Sequence, residues 1–207
     1  MDNGTKFAVI VALGFCLAVV VLVGRGCRNE KEKEAGKGTF YKNIEFLDCS
    51  GVKFAPDDGD SLYCGGQYVR ILGFDTPETI HVEHGIMHEQ RYGRQAKDYV
   101  IDLLQKAKVI TVVHQRGAID KYQRLLGHVL IDGHLLAPMI IRAGLAYEAI
   151  DYYGDQGFSE YAAEIMVAWN DVAKPLPFVS PHEFRQCEQK GECTEAILLD
   201  RVANPAP

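Results

Sequence analysis

The side chains best suited to chemistry lie in and just after one apolar stretch, Tyr68 to Thr79 (YVRILGFDTPET). This stretch predicts a strand, Gln67 to Phe74, that carries Arg70 and then breaks into a turn with two carboxylates, Asp75 and Glu78. An arginine on the inward face of such a strand is costly to bury unless an anion accompanies it. The sequence therefore predicts a partner for this guanidinium, either a structural carboxylate or a substrate.

A second carboxylate-rich turn precedes this strand. Asp58 and Asp60 lie in the run PDDGD, which is typical of a turn. Ser61 to Cys64 then leads into Gly65-Gly66, a two-residue hairpin signal that connects to the strand with Arg70. Both carboxylate turns are therefore expected in one meander of strands.

The order of the remaining elements predicts the fold class. Apolar residues at helical spacing predict a helix containing Ala96, Tyr99, Val100, Leu103 and Leu104. The other predicted elements are strands Phe40 to Leu47, Val109 to His114 and Leu125 to Ile131, a short helix from Ala137, an extended segment Leu145 to Tyr153, and a last helix from about Ser159. Together they predict a mainly β fold with α-helices (α+β), a five-stranded OB-fold-like barrel with three helices.

An N-terminal transmembrane or signal segment is predicted to precede this domain. Phe7 to Val23 is uninterrupted apolar or glycine, which is short for a membrane span and long for a signal-peptide core. Because no Ala-x-Ala cleavage pattern follows and the residues before Cys27 do not suit lipidation, an uncleaved single-pass anchor is favoured over a cleaved or lipidated signal.

Composition divides the chain into four parts: an anchor or signal (1–28), a charged linker (29–39), one globular domain (40–185) and a C-terminal tail (186–207). Four cysteines fall outside the anchor, namely Cys49, Cys64, Cys187 and Cys193. Their spacing matches no zinc pattern, so they are expected to be unpaired or disulfide-bonded.

Five motifs in order resemble the staphylococcal nuclease family. They are Asp58-Gly59-Asp60-Ser61, Val69-Arg70-Ile71 with Asp75-Thr76-Pro77-Glu78-Thr79, Tyr92-Gly93-Arg94-Gln95-Ala96, Asp120-Lys121-Tyr122-Gln123-Arg124-Leu125, and Arg142-Ala143-Gly144-Leu145-Ala146. One such peptide would be weak evidence, but five in register are strong. The resemblance covers most of the predicted domain and reaches Arg185.

This resemblance implies a calcium-dependent nuclease that cleaves DNA and RNA with little sequence preference and leaves 3′-phosphate ends. The implied roles are Ca²⁺ ligation by Asp60, Asp75 and the main-chain carbonyl of Thr76, water activation by Glu78, phosphate binding by Arg70 and Arg124, and nucleotide binding by Lys121, Tyr122 and Tyr152. Hydrolysis of a phosphodiester builds negative charge at phosphorus, which a cation and two guanidiniums offset. Calcium prefers hard oxygen ligands of this kind.

Three features depart from the family's usual pattern. Gln123 stands where the family usually has a glycine before Arg124, which puts in question the loop conformation that directs the Arg124 side chain. The loop Ile80 to Arg91 is longer than usual, and Trp169 lies earlier in the last helix. None of these changes removes an implied catalytic residue.

Two observations argue for other interpretations. His81, His84 and His88 could form a metal cluster, but no further ligand completes it and a solvated loop is favoured. The formal net charge of −6 is opposite to that of a tight nucleic-acid binder, so weak and locally steered binding is expected.

Two rival functions remain open from the sequence. One is an inactive barrel that binds nucleic acid or a protein at a membrane, and the other is a calcium-stabilised, membrane-tethered interaction domain. No obligate protein partner is inferred, and the domain is expected to be monomeric. Basic residues after the apolar segment favour a cytoplasmic domain, whereas a calcium site favours an extracytoplasmic one. Because the implied chemistry needs calcium, an extracytoplasmic nuclease domain is expected.

Overall fold

A computed structural model of the chain describes residues 43–51, 58–191 and 193. The chain divides into two units, Met1–Lys42 and Asn43–Pro207, of which the first lies outside the described residues. The predicted anchor and linker belong to that first unit. Among the residues that are described, no helix is both long and apolar enough to cross a membrane.

A five-stranded curved sheet forms the centre of the second unit. Its strands are β1 (Ile44–Asp48), β2 (Ser61–Cys64), β3 (Gln67–Ile71), β5 (Ile110–Ile119) and β6 (Leu125–Ile131), in the order β1-β5-β6-β3-β2. The short β7 (His134–Leu135) pairs with β6, and β4 (Phe74–Asp75) pairs with β8 (Tyr147–Glu148) in a separate two-stranded ladder. The predicted hairpin at Gly65-Gly66 is present, with the positive φ angles that a two-residue turn requires.

The two edges of this sheet are joined by a disulfide. Cys49 follows β1 and Cys64 ends β2, and they form a disulfide with their Cα atoms 5.5 Å apart. The sheet therefore curls until its edge strands meet, as an OB-like fold requires. In the described ranges no strand pairing joins β1 to β2, so the closed barrel that was predicted is not shown.

Five α-helices are present in the described residues, not the three that were predicted. They are α1 (Gly93–Lys106), α2 (Leu136–Arg142), α3 (Ile150–Tyr153), α4 (Ser159–Asp171) and α5 (Pro181–Lys190). Helices α1, α2 and α4 complete the core over the sheet, and Val100, Ile140 and Ile165 are fully buried there.

Two helices were missed in the sequence. The segment from Leu145 is extended only over β8 and then turns into α3, so the prediction of an extended chain to Tyr153 was wrong at its end. Helix α5 begins at Pro181 with Ser180 as its N-cap and a capping box to Glu183. It continues through residue 185, where the domain had been predicted to end.

Candidate active site

Arg70 finds its partners among carboxylates at one end of the sheet. Its guanidinium pairs with Asp60, and its Nη2 donates to Asp75 Oδ1 at 2.7 Å. Val69 and Ile71 face the core, so Arg70 lies on the opposite face of β3 and its side chain is 16% exposed. The counter-ion expected from the sequence is thus supplied by two carboxylates.

The backbone brings the turn at Asp60 against the turn after β4. Residue Asp60 directly precedes β2, and its carbonyl accepts from the Ile71 amide at 2.8 Å. Its carboxylate accepts from the Thr76 amide at 3.2 Å. The two carboxylate turns expected in one meander therefore contact each other, and Asp58 joins them by accepting from the Asp60 amide.

Glu78 is held from behind by the loop that leads into α1. The side chain of Gln90 is 2% exposed and accepts from the Glu78 amide at 3.1 Å, while the Gln90 amide donates to the Glu78 carbonyl. Gln90 also donates to the Val179 carbonyl at 2.7 Å. These contacts fix the backbone of Glu78 and leave its carboxylate directed at the acidic cluster.

A second guanidinium, that of Arg185 on α5, completes the cluster. It donates to both carboxylate oxygens of Asp75, at 3.2 and 2.7 Å, and to Glu78 Oε1 at 2.5 Å. Four buried carboxylates therefore face two guanidiniums; the carboxylates belong to Asp58, Asp60, Asp75 and Glu78. When all are ionised, the cluster carries an excess of two negative charges.

The carboxylates of the cluster differ in the direction in which their pKa values are shifted. Burial alone would raise the pKa of Asp75, but Arg70 and Arg185 outweigh it and lower the pKa to about 2. Burial raises the pKa of Glu78 although Arg185 opposes the shift, and burial with the neighbouring carboxylates raises the pKa of Asp60. Asp75 is thus firmly ionised, and Glu78 is a better proton acceptor than Asp75.

In the described part of the chain, no three His, Cys, Asp or Glu side chains converge in metal-ligand geometry. The predicted donor set needs only two such side chains, since its third member is the Thr76 carbonyl. The rings of His81 and His84 lie 6.0 Å apart, but each of the three histidines that were weighed as a metal cluster has a different partner. His81 contacts Thr79 at 2.9 Å, His84 stacks on Tyr122, and His88 pairs with Glu188 at 2.9 Å.

Arg124 does not join the carboxylate cluster. Its Nε donates to Asp120 Oδ2 at 2.8 Å, within its own loop. Gln123 has a φ of 65°, a value that a glycine adopts readily. Lys121 and Arg124 both lie over the ring of Tyr122, at 4.9 and 5.4 Å from its centroid.

Tyr122 and Tyr152 remain available at the surface. The Tyr122 side chain is 56% exposed, and its contact with His84 places it beside the loop that follows Glu78. Tyr152 is 61% exposed on α3 and its hydroxyl lies 3.0 Å from His182 Nε2. Each ring therefore exposes an aromatic surface to solvent.

Arg185 is the residue of this site that the sequence interpretation missed. A signal was present, because Ser180-Pro181-His182-Glu183 is a capping box with proline at the first helical position. It predicts a helix that carries Arg185, but it does not say where that helix packs.

The sequence of residues 68–175 matches the profile of the family described as staphylococcal nuclease homologue. This match covers just over half of the chain, and the protein belongs to that family. Arg70, Asp75, Thr76, Glu78 and Arg124 lie inside the matched range, while Asp60 precedes it and Arg185 follows it.

Two relatives come from Bacillus subtilis (strain 168). The protein is 30% identical over 151 residues to the endonuclease YhcR, and the aligned region covers 64% of this chain and 12% of YhcR. It is 29% identical over 161 residues to the SPbeta prophage-derived endonuclease YokF, covering 72% of this chain and 51% of that protein. The chain therefore spans only about an eighth and about half of these two relatives.

Proposed function

We propose that the protein is a calcium-dependent nuclease that hydrolyses phosphodiester bonds in DNA and RNA with little sequence preference. The observation that carries this proposal is the convergence of Asp60, Arg70, Asp75 and Glu78 at one end of the sheet, in a chain of the staphylococcal nuclease family. The printed names of both relatives, which are endonucleases, support the same activity.

The side chains present fit a calcium ion. All the predicted donors are hard oxygens, and the Thr76 amide already holds Asp60 against the Thr76 backbone at 3.2 Å. The cluster's excess of two negative charges equals the charge of one divalent cation. When bound by Asp60, Asp75 and the Thr76 carbonyl, the ion would stabilise negative charge that develops on the phosphate.

Glu78 is the proposed general base. Its pKa is raised by burial, and its backbone is fixed by Gln90, so the carboxylate is both positioned and able to accept a proton from water. Arg70 can place two donors on the phosphate oxygens, an arrangement that lysine does not reproduce. Attack on the side opposite the 5′ oxygen would leave a 3′-phosphate, as the family resemblance implies.

Arg124 is retained in the proposal as a second phosphate-binding arginine. In the structure its Nε donates to Asp120 Oδ2 at 2.8 Å. Lys121, Tyr122 and Tyr152 are proposed to contact the nucleotide next to the cleaved bond. Their surface positions and the contact of Tyr122 with His84 support this placement.

One observation favours a second candidate, a module that binds nucleic acid or a protein partner at a membrane without turnover. Arg70 is paired with Asp60 and Asp75, Glu78 with Arg185 and Arg124 with Asp120, so all three implied catalytic side chains already have charged partners. Retention of every implied catalytic residue argues against this candidate.

A membrane-anchored or exported nuclease domain on the extracytoplasmic side is also proposed. Two disulfides, Cys49–Cys64 and Cys187–Cys193, support it, because disulfides are rare in the cytoplasm. Protease treatment of intact cells tests it. Digestion of the domain without lysis is expected, and protection until lysis would contradict it.

The activity is tested with the full chain purified in mild detergent. Plasmid and single-stranded DNA and RNA are incubated with the protein in calcium or in a chelator. Cleavage in calcium alone is expected, with products that a polymerase extends only after phosphatase treatment. No cleavage in either condition, with retained binding of single-stranded DNA, would favour the binding module instead.

A further inference from the structure

The helix that carries Arg185 is fixed in place over the carboxylate cluster. Phe184 is 1% exposed and packs with Ile86 and Val179 in a small core separate from the main one. Glu188 accepts from the Met87 amide at 2.7 Å. The disulfide between Cys187 and Cys193 closes the end of the helix. Arg185 is therefore a positioned side chain, not a mobile one on the surface.

The position of Arg185 is the one expected of a substrate-binding group. Its side chain is 25% exposed, so the guanidinium lies at the open edge of the cluster, where Asp75 and Glu78 are almost fully buried. It is the only guanidinium in the described residues that contacts Glu78. Arg124, for which that position was expected, is held by Asp120 instead.

The contacts that Arg185 makes in the absence of substrate occupy carboxylate oxygens that the proposed reaction needs. Both oxygens of Asp75 accept from it, and Glu78 Oε1 accepts from its Nη1. While Glu78 Oε1 accepts from Arg185, that oxygen is not free to accept a hydrogen bond from the attacking water. A phosphodiester offers two anionic oxygens, for which the planar fork of arginine is well suited.

We propose that Arg185 of α5, which lies outside the residues matched to the family, is a further substrate-binding residue that transfers from Asp75 and Glu78 to the phosphate of the bound nucleic acid. The transfer frees Glu78 and Asp75 for the reaction only when a phosphate is present. This inference rests on the proposed nuclease function. The alternative is that Arg185 only blocks the empty site. In that case the arginine would inhibit the enzyme, and its replacement would raise turnover.

The first test compares Arg185→Gln and Arg185→Lys with Arg142→Gln, a surface arginine that pairs with Asp171 at 3.3 Å. With the full chain in calcium and a labelled single-stranded oligonucleotide, Arg185→Gln is expected to lower kcat/KM by about 10²-fold or more. Arg185→Lys is expected to recover little of this because lysine cannot donate in a fork. Arg142→Gln is expected to match the parent protein.

The second test measures binding without turnover. In a Glu78→Gln background, anisotropy of the labelled oligonucleotide is followed as salt is raised, with and without calcium. Arg185→Gln is expected to weaken binding about tenfold. It is also expected to reduce the slope of log affinity against log salt by about 0.7, the loss of one phosphate contact on a single strand. A purely structural role would leave that slope unchanged.

The two tests separate the inference from the proposed function. If the parent protein cleaves and Arg185→Gln cleaves equally or faster with an unchanged slope, Arg185 only closes the site and the inference is wrong. If the parent protein does not cleave, the salt slope still decides whether Arg185 binds phosphate. If Arg185→Gln melts at a lower temperature than the other variants, Arg185→Lys replaces it in the comparison. A kcat/KM of Arg185→Lys equal to that of the parent protein would overturn the inference.

Discussion

Gly93 lies directly against the backbone of Glu78. A Cβ built on Gly93 would lie 2.3 Å from the carbonyl oxygen of Glu78 and 2.9 Å from its carbonyl carbon. Helix α1 begins at Gly93, and the same Glu78 carbonyl accepts from the Gln90 amide at 2.9 Å. The first residue of α1 therefore sets the position of the proposed general base by close packing.

Replacement of Gly93 by alanine is expected to destabilise the protein and to move Glu78. Backbone cannot yield as a flexible side chain does, so the cost is about 1–3 kcal/mol, the usual range for overpacking. Urea unfolding measures the stability, and nuclease assays measure the loss of activity. Gln95→Ala, an exposed position in the same turn of α1, is the matched control. Equal stability of the two variants would contradict the packing described here.

The disulfide that joins the sheet edges is expected to stabilise the fold. Cys49 and Cys64 are 15 residues apart in sequence, and a loop of that length corresponds to about 3 kcal/mol in the chain-entropy account. The double variant Cys49→Ala with Cys64→Ala should therefore unfold at clearly lower urea concentration. Removal of the Cys187–Cys193 pair, which closes a shorter loop, should cost less. An unfolding midpoint that does not change without Cys49 and Cys64 would contradict this role.

The stability of the protein is expected to fall in weak acid because of His128. This side chain is 1% exposed, lies edge-on to Phe158 and Tyr161, and burial lowers its pKa to about 4. Above the unfolded pKa of 6.5 the histidine is neutral in both states. Between 6.5 and 4 only the unfolded chain binds the proton, so stability falls as pH falls.

The size of this effect is about 3 kcal/mol across that pH range. It is measured as the difference in the free energy of unfolding between the parent protein and His128→Leu at several pH values. The contributions of the carboxylates, which titrate in both proteins, cancel in this difference. His134→Gln, an exposed histidine on β7, should show no such difference. A difference that stays constant from pH 7.5 to 4 would rule out the assignment to His128.

The sequence predicted the local parts of this site well, and the physical reasons are specific. Asp60, Arg70, Asp75 and Glu78 lie in short motifs whose turns fix their geometry, and the hairpin at Gly65-Gly66 brings those motifs together. The strand from Gln67 was predicted to run to Phe74, but it ends at Ile71 because Gly73, with a φ of 94°, bends the chain before β4. Arg70 faces the carboxylates instead of the core because it alternates with the buried Val69 and Ile71, and the bend then brings Asp75 to its side of the strand.

Contacts between residues far apart in the chain could not be predicted from the sequence. The contact between Arg185 and Asp75 spans 110 residues, and no periodicity or turn signal reports such a pairing. The pairing of Arg124 with Asp120 is local, but it lies next to Gln123, whose left-handed backbone conformation could not be read from its residue type. The closing disulfide of the sheet was likewise left open, since four cysteines allow several pairings.

The proposed mechanism depends most directly on Glu78 as general base. The decisive measurement is the single-turnover cleavage rate of a labelled oligonucleotide by the parent protein and by Glu78→Gln, side by side in saturating calcium. Glutamine keeps the shape of the side chain and an oxygen for Arg185, so binding should change little. The predicted rate of the variant is lower by about 10²–10⁴-fold, the usual contribution of a general base. Equal rates would contradict the role of Glu78 and, with it, the proposed mechanism.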